Sequence, residues 1–555
     1  MQTKIIINSL RKHVLYMIQL SRYRMNKSRM TQIWLRRLFI LTILSWLSAC
    51  STLPPREPNT KRSYSTDIDS SGTYLATTFE PLKQQHPNLT GFHVLYDPQQ
   101  ALITRLQLID RAQKSLDLQY YIWENDRVGA LALAALLRAA DRGVQVRLLI
   151  DDNNSKGLES AYVALAQHPN IQVRVFNPYR FRNLRVLDIL LDFNRITRRM
   201  HNKTFIADHQ VGLIGGRNMS NQYYNVGENF QFSDMDVVLV GQAVNDISHS
   251  FDEYWNHDYA YPIHQVTRHQ AQRLTPEALA KQLEENWLKN NVEDYLSILS
   301  SSLSFDEWFN EKLNLQWVNA MVVKDAADKI KKNAPQEQHL NFQLANILNQ
   351  PEYAVDLISA YFVPSDKEVD VFQRLAQQGT DIRILTNSFQ ANDVPIVHAF
   401  YAKRRKALLE QGVELYEFLP VLPNTATFSE RVQHLASKKN VMEGQSRSSL
   451  HAKLMAIDDQ KVFIGSFNFD QRSVYLNTEI GVVLDSPTFA TAVRKNMDDN
   501  LLKYAYKIEL DEQGNLIWKT QVGNKIHVFH QEPNMQWWQK LTLKLLSLLP
   551  IEKQM

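Results

Sequence analysis

The sequence predicts an α/β protein built from two duplicated α/β/α domains. Each is expected to be a mixed sheet flanked by helices, the pair related by a pseudo-twofold axis with the active site at their interface. Three observations carry this expectation. Residues 116–121, 131–140, Gly143 and 144–149 recur in kind as residues 355–361, 368–376, Gly379 and 380–385. Each copy runs strand, amphipathic helix, glycine stop, strand, the order of a β-α-β pass that favours a parallel or mixed sheet covered by helices. Each is then followed by the same set of polar residues at the same spacing: His201, Lys203, Asp208, Gly215 and Asn218, then His451, Lys453, Asp458, Gly465 and Asn468.

The elements follow in chain order. Residues 1–49 hold nine Lys/Arg and no acid, closing with Arg36-Arg37, an apolar run 38–47 and Ser48-Ala49. A basic stretch, a short apolar run and small residues form a secretory signal, and the run is too short for an ordinary spanning helix. Leu47-Ser48-Ala49-Cys50 resembles the bacterial lipobox, so Cys50 is the expected lipidation site. That places the protein on the bacterial cell envelope, lipid-anchored and facing the periplasm. The long basic lead makes Met25 or Met30 the expected start. Residues 50–79, rich in Ser, Thr and Pro, are expected to form a flexible tether. The first domain is expected over 80–260 and the second over 312–510. Residues 92–97 and 321–325 are paired candidates for their opening strands. A polar helical connector, 261–311, carries Glu277, Gln282, Glu284 and Glu285 on a solvated face. A tail, 511–555, closes the chain.

Composition narrows the function. Apolar residues make up 44% of the chain and charged residues 22%, a normal globular balance. The formal charge of +4 is misleading, because the leader alone holds nine basic residues; without it, 53 basic residues face 58 acidic ones, net −5. A bulk basic surface for nucleic acid is then unavailable. Cys50 is the chain's one cysteine, so an intrachain disulfide is excluded.

The duplicated polar residues point to phosphodiester transfer. Alternation along a strand puts His and Lys of each copy on one face. The strand turns at 208–210 or 458–460, returns, and bends at glycine to bring the Asn back beside the pair. One imidazole attacks phosphorus and forms a phosphohistidine. A second, protonated, donates to the leaving alkoxide and later deprotonates the incoming hydroxyl. Lys203, Lys453, Asn218 and Asn468 suit the equatorial oxygens where charge accumulates. Two fixed ammonium groups do what a metal often does, so neither a metal nor another cofactor is expected. Asp208 and Asp458 complete the pattern by closing the turn, a hydrogen-bonding or charge-pairing role rather than proton transfer. An acid behind each ring would fix its tautomer. The candidates that follow the two motifs are Asp236 and Glu479.

The two motifs resemble HxK(x)4D(x)6GSxN, the defining pattern of the phospholipase D superfamily. The second copy matches throughout, including Ser466, and Asp470-Gln471-Arg472-Ser473 continues the likeness. The first departs at Gly216, where the family has Ser, removing a hydroxyl that would assist the phosphate clamp. Residues 118–123, 150–154, 176–178, 198–203, 215–218 and 548–552 look like the cardiolipin synthase C type. The resemblance covers most of the chain beyond residue 80. It implies transfer of a phosphatidyl group to phosphatidylglycerol, with His201 as nucleophile and His451 as acid and base. Hydrolysis to phosphatidic acid, as in a phospholipase D, and a secreted phosphodiesterase or nuclease are the alternatives. Membrane phospholipids are the expected partners: phosphatidylglycerol, with phosphatidylethanolamine a further candidate, and no nucleic acid.

Two segments fit a lipid substrate. Residues 174–199 carry seven Arg among apolar residues, which suits anionic headgroups near the site, or equally a helix covering the sheet. Residues 537–549 carry Trp537, Trp538, Lys540, Lys544 and six Leu, which suits the bilayer interface, or equally a helix docked on the protein's own core. Residues 387–406, with the run Lys403-Arg404-Arg405-Lys406, are a candidate cap on the site or a solvated face.

Overall fold

The computed structural model describes residues 53, 56–57, 60–154, 157–226, 231–267, 274–289, 314–332, 334–348, 351–420 and 448–554. Cys50, the signal segment and residues 290–313 of the connector lie outside the described residues. Among the described residues, no helix is long and apolar enough to cross a membrane.

The duplication is one of topology as well as of sequence. The first sheet has, among the described residues, nine strands in the spatial order Gln316–Val318, Thr90–Leu95, Asp236–Gly241, Val211–Gly215, Thr204–Ala207, Ser115–Ile122, Gln145–Asn154, Ile171–Phe176 and Ala260–Pro262. The second has ten: Ala320–Lys324, Ile480–Asp485, Lys461–Gly465, Lys453–Ile457, Ala354–Ser359, Asp381–Asn387, Glu414–Phe418, Ala505–Leu510, Leu516–Val522 and Lys525–Phe529. Counted from Thr90–Leu95 and from Ala320–Lys324, eight successive strands correspond. The crossovers are parallel in both halves, through helices Arg127–Asp141 and Asp366–Gln377. Each helix is stopped by a glycine in the left-handed region, Gly143 at φ 96° and Gly379 at φ 93°. Even a buried ion pair is repeated: Arg147 bonds Asp117 and Arg383 bonds Asp356, each across the register of neighbouring parallel strands, and each at 2.6 Å.

Strand period decides where the core sits. Along Val211–Gly215, Val211 and Leu213 enter the core under helices Pro98–Arg111 and Arg127–Asp141. Ile214, on the other face, joins Ile206, Leu239, Leu454, Val462, Ile464 and Val482 in a core shared by both sheets. Helices Gln242–Asn256 and Pro487–Tyr504 complete this shared core through Ile247, Phe251, Trp255, Phe489 and Met497. The two halves are therefore one hydrophobic body, with their motif hairpins at its centre.

Several expected boundaries shift. Residues 60–79 are packed chain rather than a tether. The Ser63 carbonyl accepts from Arg147 Nη1, and Leu75 and Phe79 of helix Tyr74–Gln85 are buried in the first core. Polar composition hid a few apolar anchors that the first sheet needs covered. The connector contributes helix Pro276–Lys289, which turns Leu279 and Leu283 into the first core and exposes Glu277, Gln282, Glu284 and Glu285. The second domain continues past 510, because the hairpin Leu516–Val522/Lys525–Phe529 extends its sheet.

The Arg-rich segment divides. Arg174, Arg195, Arg198 and Arg199 are buried structural donors; Arg199, for example, pairs with Asp151 at 2.9 Å, and Arg174 donates to the Trp255 carbonyl. They do not present charge to a lipid. Residues 180–193 fall outside the compact unit that holds the rest of the two halves, and comprise a turn at Arg182–Leu184, then helix Arg185–Leu191. Within it the Asp188 carboxylate accepts the backbone N–H groups of Arg180 and Phe181. Arg405, expected within a solvated charge run, is buried between Glu417 and Glu532.

Candidate active site

Each motif opens on a strand and closes through a tight hairpin. Asp208 and His209 have φ of 49° and 52°, and Asp458 and Asp459 have 52° and 48°, the left-handed pair that a two-residue hairpin turn requires. Asp, Asn and His tolerate that region best, which accounts for the acid at the turn. The Asp208 carboxylate accepts the backbone N–H groups of Gln113, Lys114 and Ser115 at 2.7–3.2 Å. Asp458 does the same for Glu352, Tyr353 and Ala354 at 2.8–2.9 Å. Both acids tie the hairpin to the entry of the neighbouring strand, and neither bonds a motif His or Lys.

His201 and His451 line one cleft of about 400 Å³ at the junction of the halves, together with Asn218, Asn468, Tyr121 and Tyr223. Backbone pairing across the junction holds each ring. His201 N–H donates to the Thr478 carbonyl, and His451 N–H to the Ser233 carbonyl. Strand Gln231–Ser233 runs parallel to Ser448–Leu450 in the segment just before the second motif.

The acids behind the rings come from the opposite halves. His201 Nδ1 lies 2.9 Å from Glu479 Oε2, and His451 Nδ1 lies 2.6 Å from Asp234 Oδ2. These contacts put the proton on Nδ1 and leave Nε2 free to act. Asp236 is not the acid behind a ring. Its carboxylate is engaged by Arg105 at 2.9 Å and Arg217 at 3.1 Å. The sheet register explains why. Gly215 faces Asp236 and Gly465 faces Gly481, so the counterpart of Glu479 lies two residues before Asp236, at Asp234. The segments from motif Asn to acid differ in length, 16 residues against 11, so counting along the chain cannot select it.

The lysines are buried and donate to the carbonyl of their own motif His, Lys203 to His201 at 2.7 Å and Lys453 to His451. Asn218 is braced: its Oδ1 accepts the Ile122 N–H at 3.0 Å and its Nδ2 donates to the Tyr223 hydroxyl at 2.8 Å. Asn468 Oδ1 is buried without a partner among the described residues. Ser466 and Gly216, expected beside the phosphate, sit behind the rings instead. Ser466 Oγ donates to Glu479 Oε2 at 2.5 Å and accepts the Ile480 N–H. A Cβ on Gly216 would meet Asp234 Oδ1 at 2.3 Å.

Burial dominates the electrostatics. It lowers His201 to about 4, with Glu479 pulling upward and Lys203 and Lys453 downward. It holds His451 well below its ordinary range, reinforced by Lys453 and Lys203. Burial lowers the Lys203 ammonium to about 7 against Glu479, and lowers Lys453 against Asp234. Burial also raises Asp234, against Lys453 and Arg217. Burial alone would raise Glu479, but His201, Lys203 and Ser466 hold it below the ordinary carboxylate range. Without an anionic ligand, both imidazoles are therefore neutral at pH 7.

Sequence reasoning also missed the aromatic walls. Tyr121 stands edge-on to His201 and Tyr223 edge-on to His451, with centroids 4.9 and 5.1 Å apart. Asp393 accepts the Tyr361 hydroxyl at 2.9 Å in the same cleft, and burial raises the Asp470 carboxyl there to about 7. Tyr120-Tyr121 near the end of strand Ser115–Ile122 is a visible signal, but its facing is not. Asp393 belongs to a loop with no periodicity. Among the described residues no group of His, Cys, Asp and Glu is arranged to hold a metal ion.

Known proteins resemble the chain in sequence and in fold. A family model described as "Cardiolipin synthase, PLD-like domain" matches residues 106–255 and 344–501. The chain is 39% identical to cardiolipin synthase C of Escherichia coli over 86% of its length and 99% of that protein. It is 31% identical to an uncharacterized protein of Helicobacter pylori over 82% of this chain and 91% of the other. Among solved structures, phosphatidylserine synthase of Haemophilus influenzae superposes with a TM-score of 0.51 at 14% identity, covering 84% of this chain and 96% of that one, a likeness of fold.

Proposed function

The chain belongs to the phospholipase D-like cardiolipin synthase family of transferases, and on that premise we propose that it moves a phosphatidyl group from one membrane phospholipid to the glycerol hydroxyl of phosphatidylglycerol through a phosphohistidine. The observation that carries the proposal is the pair of carboxylate-backed imidazoles facing one cleft.

In the first step His201 Nε2 attacks phosphorus and the P–O bond to the leaving alkoxide breaks. His451 supplies the proton that the alkoxide takes. Burial, reinforced by the charges of Lys453, Lys203 and Arg217, keeps His451 unprotonated in the free enzyme, and a bound phosphodiester anion offsets those charges. In the second step the acceptor hydroxyl gives its proton to His451, its oxygen attacks phosphorus, and the P–N bond breaks. Lys203, Lys453, Asn218 and Asn468 neutralise the oxygens at phosphorus in both steps. The assignment of His201 as nucleophile rests on its acid. Glu479 is held ionised by three hydroxyl or imidazole donors, Ser466, Ser473 and His201, and so balances the positive ring of a phosphohistidine.

Incubating purified protein with labelled phosphatidylglycerol, with and without phosphatidylethanolamine, tests the reading. Cardiolipin is the expected product. Phosphatidic acid alone would make the protein a hydrolase. DNA cleavage with no lipid turnover would replace the proposal by a nuclease.

A further inference from the structure

Helix Trp537–Leu546 is apolar on the wrong side for a core helix. Its inner face buries Gln539 and Leu543. Its outer face exposes Trp537 by 78%, Leu541 by 52%, Leu545 by 59% and, one turn on, Leu548 by 74%. These positions recur at helical spacing and form one stripe, with Trp538 beside it and the exposed Lys540 and Lys544 along its edge. No ion pair engages either lysine among the described residues.

The helix is also fixed to the wall of the catalytic cleft. It packs on helix Pro395–Ala402, of which Ile396 and Val397 line the cleft. Just before it, Glu532 enters a buried ionic cluster, 2.7 Å from Arg405 and 2.6 Å from His398 of that same wall. Just after it, Ile551 packs with Val397 and Phe400, and Gln554 lines the cleft, its carbonyl accepting from Arg472.

We propose that this outer face is a docking surface for an anionic lipid bilayer, and that its two anchored ends hold the cleft at the headgroup layer. Trp at the boundary, Leu beneath and Lys at the rim match the three zones of a bilayer interface in turn. An antiparallel twofold contact with a second copy would set the lysine edge beside its own counterpart, an arrangement of like charges. The proposal rests on a phospholipid substrate, as argued above.

The single cysteine makes a direct test simple. In the full chain carrying Cys50→Ser, Leu541→Cys provides one attachment point for an environment-sensitive fluorophore, and Glu512→Cys, in an exposed turn, is the control. Adding phosphatidylglycerol vesicles should blue-shift the probe at 541 and leave that at 512 unchanged. No shift at 541 would overturn the proposal. So would emission already blue-shifted in buffer and unaffected by vesicles, which would mean a covered face, or a shift that follows protein concentration, which would mean a second copy. In parallel, Leu541→Ser with Leu545→Ser and Leu548→Ser should lower turnover of vesicle lipid tenfold or more and leave turnover of dissolved short-chain phosphatidylglycerol unchanged. Equal loss on both substrates would overturn docking. A probe shift at 541 in the Leu541→Cys chain, with neither lipid turned over by the unsubstituted chain, would instead sink the transferase reading alone.

Discussion

In the second half-site Ser466 donates its hydroxyl to Glu479 behind His201; in the first, Gly216 lies under Asp234 behind His451. The first has the smaller residue at the motif position and the shorter acid. The second has the larger residue and the longer acid. A Cβ at Gly216 would lie 2.3 and 2.6 Å from the Asp234 carboxylate oxygens, so the two positions vary as a pair. The support behind them differs too. Arg217, held between Asp236 and the Asp234 carbonyl, underlies the first half-site, where the second has Phe467 and Gly481. The missing Ser leaves one hydroxyl fewer on the acid behind the ring. It marks a different way of building the same wall, one that leaves Asp234 raised by burial and Glu479 held ionised. Two copies of one motif have different environments, which on the proposed mechanism suit opposite halves of a proton and phosphoryl exchange.

The largest test of this asymmetry is removal of each ring. His201→Ala and His451→Ala should each reduce turnover by about 10⁴-fold or more. Only the His451→Ala chain should still form an acid-labile phosphoenzyme on brief mixing with substrate. Labelled phosphate on His451 in the His201→Ala chain would reverse the assignment.

Next in size are the acids. Asp234→Asn and Glu479→Gln should each lower kcat by about 10²–10⁴-fold, through loss of the Nδ1 partner. Asp236→Asn should instead keep kcat within about tenfold and cost about 3–5 kcal/mol of stability in urea unfolding, because it strands Arg105 and Arg217. Full activity in Asp234→Asn, with a collapse in Asp236→Asn, would restore the acid chosen from spacing alone.

The paired variation can be broken and remade. Gly216→Ser alone should impair turnover through its clash with Asp234. Gly216→Ser with Asp234→Glu should recover much of the loss, with a coupling of about 1–3 kcal/mol in a double-mutant cycle on kcat/KM. Strict additivity would show the two positions to be independent.

A pH profile sharpens the contrast further. Lys203 is useful while charged, and burial lowers it to about 7, so in free enzyme that charge is present below neutrality and lost as pH rises. The alkaline limb of kcat/KM should therefore begin near pH 7, and Lys203→Arg should move it upward. An unchanged limb would assign it to another group. The smallest effect is expected at the turns. Asp208 is fully buried and Asp458 half-buried, so Asp208→Ala should cost about 3 kcal/mol of stability and Asp458→Ala about 1 kcal/mol. Equal losses would show burial at the turn to be irrelevant.

Much of this protein was legible in one sequence because it is written twice. Repetition of hydrophobic period, of glycine stops and of His-x-Lys…Asp…Asn spacing is local information, so the β-α-β units, the hairpins and the paired rings could be read without a structure. Composition was a weaker guide: the Ser-rich segment 60–79 is packed because Leu75 and Phe79 meet a sheet that sequence position does not reveal. What tertiary structure alone decided is which acid meets which ring, and which way the C-terminal helix faces. His201 and Glu479 are 278 residues apart, and His451 and Asp234 are 217 apart. Each pair is joined by cross-junction backbone pairing whose register depends on loops of unequal length. Read from the sequence as one strand, a period of two puts Asp234 and Asp236 on one face, so pattern cannot tell them apart. The residue types set the chemistry available, and the register of the two halves against each other selects the groups that carry it.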